Sequence, residues 1–138
     1  MSERTIIMNR ADHERLAALS ENAWLASGHR ATFLKQLNHD LNAAKVVEPE
    51  EMPPDVVGMN TRVCLYDMKS GEKSEKELVW PGEADSFEGK ISILAPLATA
   101  LIGASVGDVI EFEAPGGRQQ LRVEKIVSQP EDRQRAAG

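Results

Sequence analysis

The residue types best suited to chemistry are scattered along this chain. His13, His29 and His39 are the only histidines, and Cys64 the only cysteine. A transition-metal site needs several such ligands at close spacing, and no Cys/His cluster supplies it. His13 and His39 can approach each other if their helices pack, but solvated helix positions suit both. Glu50-Glu51 falls in a proline-rich stretch, and Glu111 and Glu113 alternate along a strand-like run. Ordinary solvation accounts for these acids better than acid–base work does. Ser92 and Ser105 have no neighbouring base, so no nucleophile is marked. No glycine loop of the phosphate-binding kind is present. A lone cysteine excludes an internal disulfide and suits a reducing cytoplasm. Between Val63 and Leu65 it reads as a buried structural thiol.

The elements that position these groups have clear local patterns. Asn9 or Asp12 can cap a first helix near residues 10–21, whose apolar face is Leu16, Leu19 and Ala23. Ser27-Gly28 breaks it. A second helix over 31–45 carries Leu34, Leu37, Leu41 and Ala44, with Phe33 beside them. Two such stripes joined by a short loop predict an antiparallel hairpin over residues 1–48, a short coiled-coil arm. Pro49, Pro53 and Pro54 punctuate an acidic linker at 49–55. Strands follow at Thr61–Asp67 and Ser74–Trp80. Pro96 opens a short helix and Gly103 closes it in the left-handed conformation. Val109–Glu113 and a returning strand around Leu121, Val123 and Ile126 flank the turn Pro115-Gly116-Gly117. The fold class is α+β. A polar tail, 131–138, frays.

Composition narrows the function. Net charge is −6 and aromatics are 4 %. General binding to a DNA backbone and stacking on single strands are both disfavoured. Residues 1–45 hold six Lys or Arg against five Asp or Glu, while the remainder hold ten against seventeen. That acidic part suits a protein partner, a basic one included, or simply a solvated exterior. No apolar run approaches the ~20 residues that span a bilayer, so no membrane role is expected.

Four blocks in order resemble the C-terminal domain of the Gre transcript-cleavage factors of bacterial RNA polymerase. They are Ala95-Pro96-Leu97-Ala98, Ala100-Leu101-Ile102-Gly103, Val106-Gly107-Asp108 and Pro115-Gly116-Gly117. The short N-terminal half and Glu50-Glu51-Met52-Pro53-Pro54-Asp55-Val56-Val57 look more like the Gre-related Rnk-type regulators of nucleoside diphosphate kinase, a similarity covering roughly residues 4–130. The resemblance implies that residues 56–130 form an FKBP-like domain, an antiparallel sheet with one helix packed on it. It implies RNA polymerase as partner, with Ala95, Pro96 and Leu97 in the contact loop. In Gre factors a long coiled coil enters the secondary channel, and acids at its tip help hold a magnesium ion for RNA cleavage. Here the tip residues are Glu21, Trp24 and Leu25. Glu21 has no second acid before Asp40, and the arm is much shorter. The expectation is a non-catalytic cytoplasmic regulator, without cofactor or metal, that competes with Gre factors. DNA would be near only within the polymerase complex. Alternatives are an FKBP-like peptidyl-prolyl isomerase and a generic protein-interaction module. Isomerisation needs an aromatic-lined pocket, and Tyr66, Trp80, Phe87 and Phe112 lack an isomerase motif.

Overall fold

The computed structural model describes residues 6–28, 33–114 and 116–130. Thr5, His29, Ala31, Pro115, the side chain of Phe33 and the tail 131–138 lie outside the described residues. Strand β1 (Ile7–Asn9) leads into α1 (Arg10–Ala26), and α2 (Phe33–Ala43) leads into β2 (Lys45–Val47). β1 and β2 pair in parallel, Ile7 with Lys45 and Asn9 with Val47. Lys45, expected at the end of the second helix, is therefore a strand residue. Its N–H donates to the Ile6 carbonyl at 2.8 Å. The β-branched Val46 and Val47 that follow favour that extended backbone.

Asn9 caps α1 in extended conformation, its side chain accepting from Asp12 N–H at 2.8 Å. The helix continues to Ala26 rather than stopping near residue 21. Ala23 and Trp24 pack against the core and prolong the stripe begun by Leu16 and Leu19. Ser20 Oγ donates to Asn38 Oδ1 at 2.7 Å, and His13 Nε2 lies 2.8 Å from the Leu41 carbonyl. These two links join α1 to α2, and position falls along α2 as it rises along α1. His39 is exposed.

The remaining strands are β3 (Arg62–Asp67), β4 (Lys73–Val79), β5 (Lys90–Ser92), β6 (Val109–Ala114) and β7 (Gly117–Ser128), with α3 (Pro96–Leu101) between β5 and β6. They form one sheet in the order β5-β4-β3-β7-β6. β4 and β5 run parallel, and the other pairs are antiparallel. Register shifts in the β3–β7 pair, at Arg62/Val63 and Cys64/Leu65, bend the sheet. Val63 and Leu65 are fully buried, whereas Cys64 points to the other face and is half-buried. The expected buried thiol is thus a side-of-strand error: the period of two places Cys64 with Arg62 and Tyr66.

One apolar core joins helices and sheet. Leu16, Leu34 and Leu37 share it with Leu65, Leu78 and Leu101, all nearly inaccessible. Each such side chain contributes about 1.5–3 kcal/mol of transfer free energy. The proline-rich stretch is held to this body. Met52 is buried, and Gln129 Nε2 donates to the carbonyls of Pro53 at 3.0 Å and Val56 at 2.7 Å. Arg15 stacks over the buried Trp80 ring at 3.8 Å, a further tie between α1 and the sheet.

Asp12 makes the same connection by hydrogen bonding. Its Oδ2 accepts from Met59 N–H at 3.1 Å and from Asn9 Nδ2 at 3.3 Å. Asp12→Ala leaves a backbone donor unsatisfied beside buried Met59, at a cost of about 1–3 kcal/mol. Asp12→Asn keeps an acceptor oxygen and loses less. Urea denaturation of both variants checks this order; equal losses would show that the oxygen is not the relevant group.

Candidate partner interface

The loop from Ser92 to Leu97 is built by a tight turn on the end of β5. Ser92 Oγ accepts from Leu94 N–H at 3.1 Å, and the Ser92 carbonyl accepts from Ala95 N–H at 2.8 Å. Ile93 is fully buried and anchors the turn. Ala95 then sits at the N-cap in extended conformation and Pro96 occupies the first helical position, where its lack of an N–H costs nothing. Thr99 Oγ1 donates to the Pro96 carbonyl at 2.9 Å. Pro96 is exposed, while Ala95 and Leu97 are half-buried, Leu97 against the core. Of the three, Pro96 alone is exposed.

Pro96 also borders an open cleft of about 370 Å³ between α2, α3 and β6. Gln36, Thr99, Ala100 and the half-buried Phe112 contribute to its walls. Phe112 was legible as a strand residue but not as cleft lining, because that depends on which helix covers β6. A larger cleft, about 500 Å³, lies elsewhere, between the Asp67–Ser70 turn and the Gly116–Gln120 stretch. The Ser70 and Lys69 N–H groups hold the Asp67 carboxyl below its ordinary range.

Glu21, Trp24 and Leu25 all lie on α1, in its last turns, and not in a loop beyond it. Glu21 is exposed and Leu25 is 60 % exposed. Trp24 is half-buried against the core, with Lys35 Nζ 5.9 Å from its ring centroid. Its apolar area therefore closes α1 onto the body. These residues and Ala95–Leu97 occupy different elements. Among the described residues, no group of three or more His, Cys, Asp or Glu is placed to hold a metal ion.

The aromatic side chains do not favour the isomerase reading. Trp80 is buried under Arg15. Tyr66 lies 4.7 Å from Arg122. Phe87 is fully exposed on the acidic 81–89 loop. Arg62 braces that loop, donating to the Glu88 carbonyl at 3.0 Å while Glu75 binds its Nε at 2.7 Å. The Glu75 hydrogen bond raises the Arg62 pKa further above its already high ordinary value.

Comparison with known proteins places this architecture. The family model for the C-terminal domain of the GreA/GreB transcription elongation factors matches residues 52–128. The chain belongs to the GreA/GreB family. Across almost its whole length it is similar to the regulator of nucleoside diphosphate kinase of Escherichia coli (strain K12), with 39 % identity over 132 residues and 95 % of each chain covered. The GreA elongation factor of Geobacillus kaustophilus is 33 % identical over 107 residues, covering 78 % of this chain and 65 % of that one. Among solved structures, a GreA/GreB elongation factor from Nitrosomonas europaea superposes with a TM-score of 0.76 at 36 % identity, covering 91 % of this chain and all of that one. The GreA/GreB match spans both the Ala95–Leu97 loop and the β6 strand that flanks its cleft. No helix among the described residues is long and apolar enough to cross a membrane.

Proposed function

We propose that this protein is a non-catalytic regulator that binds RNA polymerase at the secondary-channel site used by Gre factors. Membership of the GreA/GreB family makes it a transcription-related regulator. Its relatives are a regulator and elongation factors rather than conventional enzymes. Residues 56–130 act as an FKBP-like docking domain, residues 1–48 as a short helical-hairpin arm directed into the channel mouth, and 49–55 as the join. Docking there excludes Gre factors. The protein works in the cytoplasm, with DNA close by only through the polymerase.

The observation that carries this reading is the exposed Pro96, held rigidly between the Ser92 turn and the Thr99 hydroxyl. A rigid, uncharged projection suits a buried contact centre, because little conformational entropy is lost on binding. Pro96→Asp places a charge there and removes apolar contact. It weakens polymerase binding at least about tenfold, the range typical of a central interface residue. Titration against core RNA polymerase with circular dichroism as fold control measures this. Unchanged affinity in a folded variant removes the loop from the interface.

A further inference from the structure

We infer that the free edge of β6 is a strand-addition site for an extended, basic segment of a partner protein. This goes beyond docking through the Pro96 loop, and the two are separable. β6 ends the sheet. Its residues pair with β7 from Val109↔Arg122 to Ala114↔Gly117. Among the described residues, no other backbone hydrogen bond reaches β6. In an antiparallel ladder alternate residues direct N–H and C=O away from the partner strand. The outer edge thus presents a row of unpaired groups over about 20 Å, at ~3.4 Å per residue.

The space beside that edge is shaped for a strand. Two clefts, of about 370 and 260 Å³, border β6 and share Gln36, Ala100 and Glu111. Together they run from Val109 to Glu113, with α2 and α3 as the facing wall. An extended segment lying there completes the ladder on one side. Toward the helices it meets Phe112 and Ala100, which accept small apolar side chains; Pro96, which also borders this cleft, belongs to the docking loop. Affinity comes from the main chain and selectivity from alternate side chains, as in other strand-addition sites.

Charge selects the occupant. Glu111 and Glu113 share the other face of β6 and are both exposed. Arg118 lies 3.1 Å from Glu113 and 4.0 Å from Glu111, so one guanidinium serves two carboxylates. A Lys or Arg on an incoming strand completes the neutralisation through cross-strand pairing. A second copy of this chain is the wrong occupant. Antiparallel pairing along the same edge keeps paired residues on one face, and so sets glutamates of one copy against those of the other.

The test uses an acetylated, amidated peptide of alternating Lys and Val, six residues long. Nitrogen-15 NMR titration is expected to show saturable binding, with shifts at Val109–Ala114 and Ala100. A version methylated at two adjacent interior amide nitrogens cannot complete the ladder from either edge, and binds at least about tenfold more weakly. An alternating Glu-Val peptide binds similarly weakly. Glu111→Gln/Glu113→Gln, checked for fold by circular dichroism, loses the preference for the basic peptide. Four results overturn the inference: no saturable binding, indifference to methylation, shifts mapping elsewhere, or a dimer in sedimentation that these substitutions alter. Core polymerase binding by the same double variant separates the two sites. Retained polymerase affinity with lost peptide binding supports two surfaces. Loss of polymerase binding with peptide binding intact overturns the present site alone, since it assigns the glutamates to the polymerase contact.

Discussion

Replacing Gly103 with alanine lowers stability by about 2–5 kcal/mol, a large part of the 5–15 kcal/mol that a typical domain possesses. Two independent costs add. Gly103 follows α3 with φ +80°, a conformation that disfavours a Cβ by about 1–2 kcal/mol. A Cβ built there also runs into the Ile6 side chain, and overpacking a core costs about 1–3 kcal/mol. Neither cost is easily relieved. Gly103 N–H donates to the Val57 carbonyl and the Ala104 carbonyl accepts from Val57 N–H, both at 2.8 Å, which pins the backbone from both sides. Gly28 is the control: φ is +64° and none of the described residues lies within 4 Å of a Cβ. Gly28→Ala therefore shows the conformational cost alone. Urea denaturation of both variants separates the two contributions, and Ile6→Ala in the Gly103→Ala background recovers the steric part. Equal losses at the two glycines would mean that Ile6 moves aside freely.

Why these positions matter differs in how much of it the residue order reveals. The α1 and α2 faces were legible because Leu16, Leu34, Leu37 and Leu41 recur at helical spacing and all reach the core. The left-handed turn at Gly103 was legible too, since it follows a proline-initiated helix of the right length. Its contact with Ile6 was not, because those residues meet only through packing of the N-terminal segment on the body. The β1–β2 pair is three residues per strand, too short for alternation to announce, although Val46-Val47 was a local warning that the helix ends sooner. The end of α1 was placed near residue 21, short of the Ser27-Gly28 break that the residue order itself marks. Trp24 instead continues the buried stripe, and the Gly28 turn marks the true end. Of the proposed interface, the Ala95–Leu97 loop was visible in its residues. The cleft beside it was not: Gln36, Ala100 and Phe112 come from three elements, and the exposure of β6 depends on strand order.

A backtracked transcription complex is expected to keep its intrinsic RNA-cleavage rate when this protein is added at saturation, while stimulation by a Gre factor falls toward that baseline. The first outcome is no change in rate, and the second is a large loss, because it requires displacement from a shared site. Glu21 limits the chemistry. It is exposed on α1, five residues before the helix ends at Ala26. No Asp or Glu occurs from Asn22 to His39. A hard divalent ion recruited here has one protein carboxylate to bind, keeps more of its water and is held weakly. Lewis-acid catalysis also demands that the ion be fixed within direct reach of the phosphate. At ~1.5 Å per residue, the 17 residues of α1 extend only about 26 Å, which limits that reach. The neighbouring groups are Trp24, packed against the core, and Leu25, exposed and apolar; neither binds a cation of this kind. Leu25→Asp gives the sharper test. It adds a second carboxylate one turn from Glu21, at the i, i+4 spacing that places both on one helix face. If too few acids are the only barrier, this variant gains magnesium-dependent cleavage; if the short arm is the barrier, it gains none and still competes. Cleavage by the unaltered protein, abolished by Glu21→Gln, would show instead that one acid suffices, and undistorted Gre activity at saturating protein would remove the shared site.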